Sequence, residues 1–185
     1  RGDLLGIFKG YNTEEMSPQQ QEDFNLHLMK IAYNVSMSIH DAHHFNERGF
    51  ATMAHTDIKT DQFIYQDGYY KLSDFNRVRF LTWNPLTKSP CGFTVAKNGG
   101  SYRAPEEYRY DLETEKVDVY SLGNVLYFLL AKEQVWKHTG NKEIYAKVMA
   151  GTRPKFPETV LNSDGIFEQY MMKAIESAWT HEPAE

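Results

Sequence analysis

"AHTDIKTDQFIY", residues 54–65, is the stretch whose reading decides the fold. His55, Asp57, Lys59 and Asp61 alternate with other residues and run directly into an apolar, aromatic segment. A metal site, a catalytic loop or a polar turn entering a strand would each give such a cluster, and the neighbouring sequence discriminates between them. Downstream, the short apolar runs "FIY" and "YYKLSDF" are separated by Gln66, Asp67 and Gly68, a hairpin signal. A hairpin there folds the chain back, so Asp57 and Asp74 can flank one mouth. Two carboxylates so placed can divide the work: one orients a hydroxyl and takes its proton, the other holds a divalent cation on a phosphate. Lys59 would bring positive charge to the place where phosphoryl transfer develops negative charge on oxygens.

Upstream, Ser17-Pro18-Gln19-Gln20 combines a hydroxyl N-cap, Pro at the first helical position and Gln at the third. Phe24, Leu28, Ile31, Val35, Ile39 and Ala42 then recur at helical spacing, which predicts a long amphipathic helix over 18–43. Residues 44–53 read as a connection. Residues 76–105 lack periodicity and collect Pro, Gly, Asn and Ser, which predicts a long surface loop of the kind that carries function. "VDVYSLGNVLYFLLA" (117–131) is apolar nearly all round, the pattern of a helix buried inside the domain. A further helix is expected over about 141–150, ending at Gly151. "TRPKFP" is held extended by its prolines, and a last amphipathic helix covers 165–179. The expected class is mainly α with a small β-hairpin (α+β).

Composition narrows the function. With 185 residues and 41% hydrophobic content the chain can build one real core. Its longest apolar run, Val125–Ala131, is far short of the roughly 20 residues of a membrane span. A net charge of −5 without a basic block argues against nucleic-acid binding. The lone Cys91 offers no disulfide framework and points to a reducing, intracellular and cytoplasmic setting, with an anchor in upstream sequence left open. Beginning at Arg1 and ending in "HEPAE", the sequence reads as a piece of a larger protein.

Four polar islands interrupt the predicted elements: "HTDIKTDQ" (55–62), "SDFN" (73–76), "GSYRAPEEY" (100–108) and "EKVDVYSLGN" (115–124). The first resembles the catalytic loop of eukaryotic protein kinases, H-R-D-L-x-x-x-N. "DFN" resembles their D-F-G metal motif, and "APE" (Ala104, Pro105, Glu106) matches their A-P-E motif. "DVYSLGNVL" is similar to the buried kinase helix that anchors the catalytic loop, "AWTHEP" to a segment near the end of the kinase domain, and "RGDLLGIFKG" to the segment after the hinge. Asp74 follows Asp57 by 17 positions, Glu106 follows Asp74 by 32, and Asp118 follows Glu106 by 12, in the order of the family.

That resemblance implies a protein-kinase-like C-terminal lobe over 1–185, without the N-terminal lobe. It implies Mg-ATP as the phosphoryl donor, with Mn²⁺ as a possible alternative, and a protein substrate as acceptor. Asp57 would be the catalytic aspartate, and Lys59 would neutralise the transferring phosphoryl group. Asp74 would hold Mg²⁺, and Gln62 stands where the family places the Asn that binds a second metal. His55 would be structural, Asp118 would hydrogen-bond the catalytic-loop backbone, and Glu106 would pair with an Arg beyond residue 185. Asp74, Phe75 and Asn76 would open the activation segment and Ala104–Pro105–Glu106 close it. Lys59 and "GSYRAPE" are the serine/threonine form of these motifs.

The departures are specific. Gln62 moves its amide one methylene outward, and Asn76 replaces a Gly in a turn that Asn can tolerate in the left-handed region. Thr56 replaces the Arg that meets a phosphorylated activation loop, which implies independence of such phosphorylation. These features keep a second reading open: a pseudokinase scaffold that binds partners without phosphoryl transfer. A third reading, a zinc site at His40, His43 and His44, competes with a helix end where His suits the dipole. Tyr102, Arg103 and Tyr108 fit either an acceptor-peptide groove or core packing. Cys91, in the presumed activation loop, is an ordinary thiol or a redox sensor, and Ser89, Thr94 and Ser101 are candidate phosphorylation sites.

Overall fold

A computed structural model describes residues 2–9, 15–46, 48–96 and 98–181. Parts of the "RGDLLGIFKG" and "AWTHEP" resemblances, at residues 1, 10, 182 and 183, lie outside the described residues. Helix α1 spans Pro18–His43 as its cap predicts. Ser17 Oγ accepts from the Gln20 amide at 3.3 Å, and the Gln20 side chain returns the bond to the Ser17 amide at 2.8 Å. Phe24, Leu28, Ile31, Val35 and Ile39 form its buried stripe.

The hairpin pairs β2 (Phe63–Gln66) with β3 (Tyr69–Leu72) in antiparallel register, Phe63 opposite Leu72. Its two-residue turn, Asp67-Gly68, has positive φ at both positions (54° and 90°), the twist that suits a tight hairpin.

The predicted loop over 76–105 is more structured than its composition suggests. A 3₁₀ turn covers Phe75–Arg77, and β4 (Arg79–Phe80) pairs with β1 (Met53–Ala54), which closes the 44–53 connection. A second small hairpin joins β5 (Trp83–Asn84) to β6 (Ser89–Pro90). These strands are two residues each, too short for any period to register in the sequence. "APEEYR" forms the short helix α2 (Pro105–Arg109).

Helix α3 (Lys116–Ala131) is the buried centre expected from its apolar circumference, and Val117, Tyr120, Val125, Leu126 and Leu129 all enter the core. Helices α4 (Asn141–Met149), α5 (Glu158–Leu161) and α6 (Ile166–Ala178) complete the fold. Gly151 follows α4 with φ 79°, the left-handed conformation favoured after a helix end. "TRPKFP" runs without regular structure into α5.

Helix α6 packs against α3 at Gly123, where an added Cβ would lie 2.7 Å from the Trp179 ring and 3.1 Å from Ala178 Cβ. Because the neighbour is a rigid, buried indole, Gly123→Ala is expected to lower stability by about 1–3 kcal/mol through overpacking. Urea unfolding of the two proteins measures it; an unchanged midpoint would contradict this packing.

Candidate active site

The loop that follows β1 is held from below by Asp118, in the first turn of α3 and wholly buried. One of its oxygens accepts from the His55 amide at 2.6 Å and from His43 Nε2 at 2.9 Å; the other accepts from the Thr56 amide at 2.8 Å. Thr56 sits in the left-handed region at φ 62°, where a β-branched residue is strained. Surrounding bonds hold it there. Its hydroxyl donates to the Arg77 carbonyl at 2.8 Å, and its own carbonyl accepts from Arg103.

His43 closes α1, as the helix-end reading of 40–44 has it, but it faces inward. It is 5% exposed and bonded to Asp118, so burial and a carboxylate 75 residues away define its role. His40 and His44 do remain at the surface, with rings stacked 4.5 Å apart. Among the described residues no group of three or more His, Cys, Asp or Glu is placed to hold a metal ion.

His55 is 1% exposed, and its Nε2 faces the Ser73 carbonyl at 3.0 Å, which fixes that nitrogen as a donor. Ser73 in turn donates both its amide and its hydroxyl to the Gln62 carbonyl, each at 2.8 Å. The two polar islands are therefore stitched together, with Asp57 on one side and Asp74 on the other. Asp74 itself takes the left-handed conformation (φ 60°) that was expected to fall at Asn76. Asn76 lies instead within the 3₁₀ turn. Asp74 is exposed, with no hydrogen bond or ion pair among the described residues. The Phe75 ring packs edge-on against His55, 5.2 Å between centroids, and is otherwise half exposed.

Asp57 is more enclosed. Lys59 Nζ lies 3.7 Å from its Oδ2, and Gln62 Nε2 donates to the same oxygen at 3.1 Å. Since a carboxylate only accepts, the Gln62 amide must turn its NH₂ group this way. Arg103 takes the other oxygen, Oδ1. Burial works to raise the Asp57 pKa, but the Arg103 guanidinium, Lys59 and Arg77 outweigh it and hold the carboxyl below its ordinary value.

Fit to a nucleotide-bound cation can be judged from these donors. Asp74 offers a hard oxygen ligand free of competing partners, the type Mg²⁺ takes alongside substrate phosphates. Gln62, as oriented, gives its NH₂ to Asp57, so a role as second metal ligand requires the amide to turn.

Beyond Asp57 a cleft of about 400 Å³ is lined by Lys59, Asp61, Gly99, Gly100, Tyr102 and Gln134, among others. Gly100 has φ 105°, a conformation open to glycine alone. Tyr102 donates its hydroxyl to Gln134 Oε1 at 2.7 Å. Tyr108 belongs to the packing alternative: it is buried, its ring lies 4.4 Å from that of Tyr145, and its hydroxyl reaches the Gly100 carbonyl.

Glu106 and Glu107 are both buried at the start of α2. Glu106 borders a second, 730 Å³ cleft with Glu115 and Tyr120, where Glu115 Oε2 and the Tyr120 hydroxyl have no hydrogen-bond partner among the described residues. Glu107 accepts from the Ala104 amide at 2.7 Å and lies 3.4 Å from Arg103. Burial pushes its pKa up to about 8, against the pull of Arg103. The folded protein therefore holds this proton more tightly than the unfolded chain does, and stability should fall as pH rises from about 4.5 toward 8. The limiting slope is about 1.4 kcal/mol per pH unit. Thermal unfolding at pH 5, 6.5 and 8 should show that decline in the wild type and a flatter profile in Glu107→Gln; equal profiles would refute it.

Glu107 and Asn98 were not legible as site residues, and Arg103 was legible only as a groove or packing residue, not as a partner of Asp57 and Thr56. Asn98 accepts from Arg77 Nη2 at 3.1 Å and donates to Glu113 Oε1 at 2.9 Å, tying the segment after Asp74 to the one before α2. Partners separated by 15 to 47 residues leave no local signal.

Comparisons with known proteins bear on the family and the fold. The protein kinase domain family model matches residues 9–179. The chain belongs to the protein kinase family. It is 26% identical over 176 residues to the dual specificity protein kinase shkC of Dictyostelium discoideum, covering 93% of this chain and 32% of that one. It is 26% identical to bovine receptor-interacting serine/threonine-protein kinase 2, covering 84% and 29%. A shorter match, 34% identical over 97 residues, joins it to serine/threonine-protein kinase atg1 of Aspergillus clavatus, covering 52% of this chain and 10% of that one. The chain thus spans at most about a third of these relatives. Among solved structures, titin kinase with its flanking domains superposes with a TM-score of 0.64 over 96% of this chain and 29% of that one, at 20% identity, which shows the fold.

Proposed function

We propose that residues 1–185 form the C-terminal lobe of a protein kinase that transfers the γ-phosphoryl group of Mg-ATP to serine or threonine hydroxyls of a protein. The observation that carries this is Asp57, with Lys59 3.7 Å away, in a loop tied through Gln62 and Ser73 to the segment that bears Asp74, which is exposed and unpaired among the described residues. Asp57 orients the acceptor hydroxyl and takes its proton, and its lowered pKa keeps it ionised at neutral pH. Lys59 meets charge developing on the transferred group. Asp74 holds Mg²⁺, which neutralises the phosphate oxygens when bound.

Serine/threonine preference rests on Lys59 and "GSYRAPE", and the names of the relatives include both serine/threonine and dual specificity kinases. Mg-ATP as co-substrate and the lone Cys91 suit an intracellular protein. Among the described residues no helix is long and apolar enough to cross a membrane. With Thr56 in place of the family's Arg, its hydroxyl bonded to the Arg77 carbonyl, activity is independent of activation-loop phosphorylation.

The second reading, a scaffold without phosphoryl transfer, is favoured by one feature: both Asp57 oxygens already have donors, Arg103 and Gln62. The deciding experiment follows labelled γ-phosphate from ATP to a generic serine/threonine substrate in the full-length protein, with Mg²⁺ or Mn²⁺. Transfer supports the kinase. A folded protein that transfers nothing with either metal supports the scaffold. Residues 1–185 alone should turn over negligibly, because the nucleotide is held from one side only.

A further inference from the structure

Arg103 makes more polar contacts across the site than any other residue singled out from the sequence. It is 7% exposed, and its guanidinium reaches three separate segments. Nη2 donates to Asp57 Oδ1 and Nη1 to the Thr56 carbonyl, both in the loop carrying the expected catalytic carboxylate. Nε donates to the Gly99 carbonyl at 3.0 Å, in the segment that walls the cleft beside Asp57. Nη1 also faces Glu107 Oε1 at 3.4 Å, at the start of α2. An arginine can serve this arrangement because its planar fork carries five fixed donors; a lysine ammonium cannot span the same acceptors.

We infer that Arg103 is a positioning residue for phosphoryl transfer, locking the Asp57 carboxylate to the Gly99–Ser101 wall of the acceptor cleft. The inference rests on the kinase reading of that site. An acceptor hydroxyl in the cleft would meet a carboxylate whose orientation is set by the wall that binds the acceptor, so binding and proton acceptance are aligned together. Asp57 keeps lone pairs beyond those used by Arg103 and Gln62, since a carboxylate offers about four acceptor positions. The titratable groups facing Asp57 are Arg103, Lys59 and Arg77; those facing Arg103 are Glu107, Asp57 and the Tyr108 phenol. Asp61 shares Lys59, at 3.3 Å.

The test uses the full-length protein with Arg103→Met and Arg103→Lys, assayed for transfer across pH with ATP and acceptor varied separately. Arg103→Met is expected to lower kcat about 100-fold, the scale of a carboxylate held out of place, with KM for ATP unchanged. Its activity should also disappear at a higher pH on the acid side. Arg103→Lys keeps the charge and not the fork, so the acid limb should stay low while kcat remains depressed. An active wild type whose Arg103→Met variant keeps its kcat and pH profile overturns this inference alone. A folded wild type that transfers nothing ends the kinase reading, and this role with it.

Discussion

Asp118→Ala is expected to cost about 3–5 kcal/mol of folding stability, the scale for breaking a buried, charge-assisted network by removing one partner. The carboxylate is wholly buried and accepts from the His55 amide, the Thr56 amide and the His43 ring. Alanine leaves two backbone donors and an imidazole N–H without acceptors in a site that water does not reach. It also removes what holds Thr56 at φ 62°. Released, the loop relaxes toward ordinary backbone geometry and carries Asp57 with it. Asparagine is a poor rescue, because its NH₂ group faces a donor. Urea unfolding gives the stability, and proteolysis near residues 55–57 reports the loosened loop. A stability within 0.5 kcal/mol of wild type, on the scale of a surface substitution, would show that the loop does not depend on this anchor.

Asp57→Asn and Asp74→Asn should each reduce phosphoryl transfer by roughly 10²–10⁴-fold, the range of a lost general base or its equivalent in charge stabilisation, and they should do so in different ways. Asp57→Asn removes the acceptor of the hydroxyl proton but leaves Asp74 untouched, so metal-dependent nucleotide binding should persist. Asp74→Asn replaces the ligand expected to hold the cation, so nucleotide binding should lose its dependence on Mg²⁺. Asp74 is exposed and unpaired among the described residues, and its substitution should leave stability near wild type. Asp57 pairs with the buried Arg103, and its loss should cost about 1–3 kcal/mol. Nucleotide binding and single-turnover transfer, measured with each variant, separate the two. Identical behaviour of both variants would mean that the two carboxylates do not have distinct roles.

Helix α1 was legible because its signals are local: a cap, a proline and a stripe at helical spacing. The same holds for the β2–β3 hairpin, where Asp-Gly supplies two positive φ angles, and for α3, whose apolar circumference requires burial. The four polar islands carried the family because their order and spacing survive even where single residues differ. The short strands between Asp74 and α2 were missed, since two residues cannot display a period and β4 pairs with β1, far back in the chain, while β5 and β6 pair only with each other.

The sequence by itself determined the family, the helical frame and the residue types at the mouth, because those follow from spacing along the chain and from motif order. Only the tertiary structure decided which groups meet: His43 under Asp118, Arg103 between Asp57, Gly99 and Glu107, and Asp74 rather than Asn76 in the left-handed turn. The physical reason is that a buried charge must find its partners wherever packing brings them. Those partners lie up to 75 positions away, and no local pattern in the chain records them.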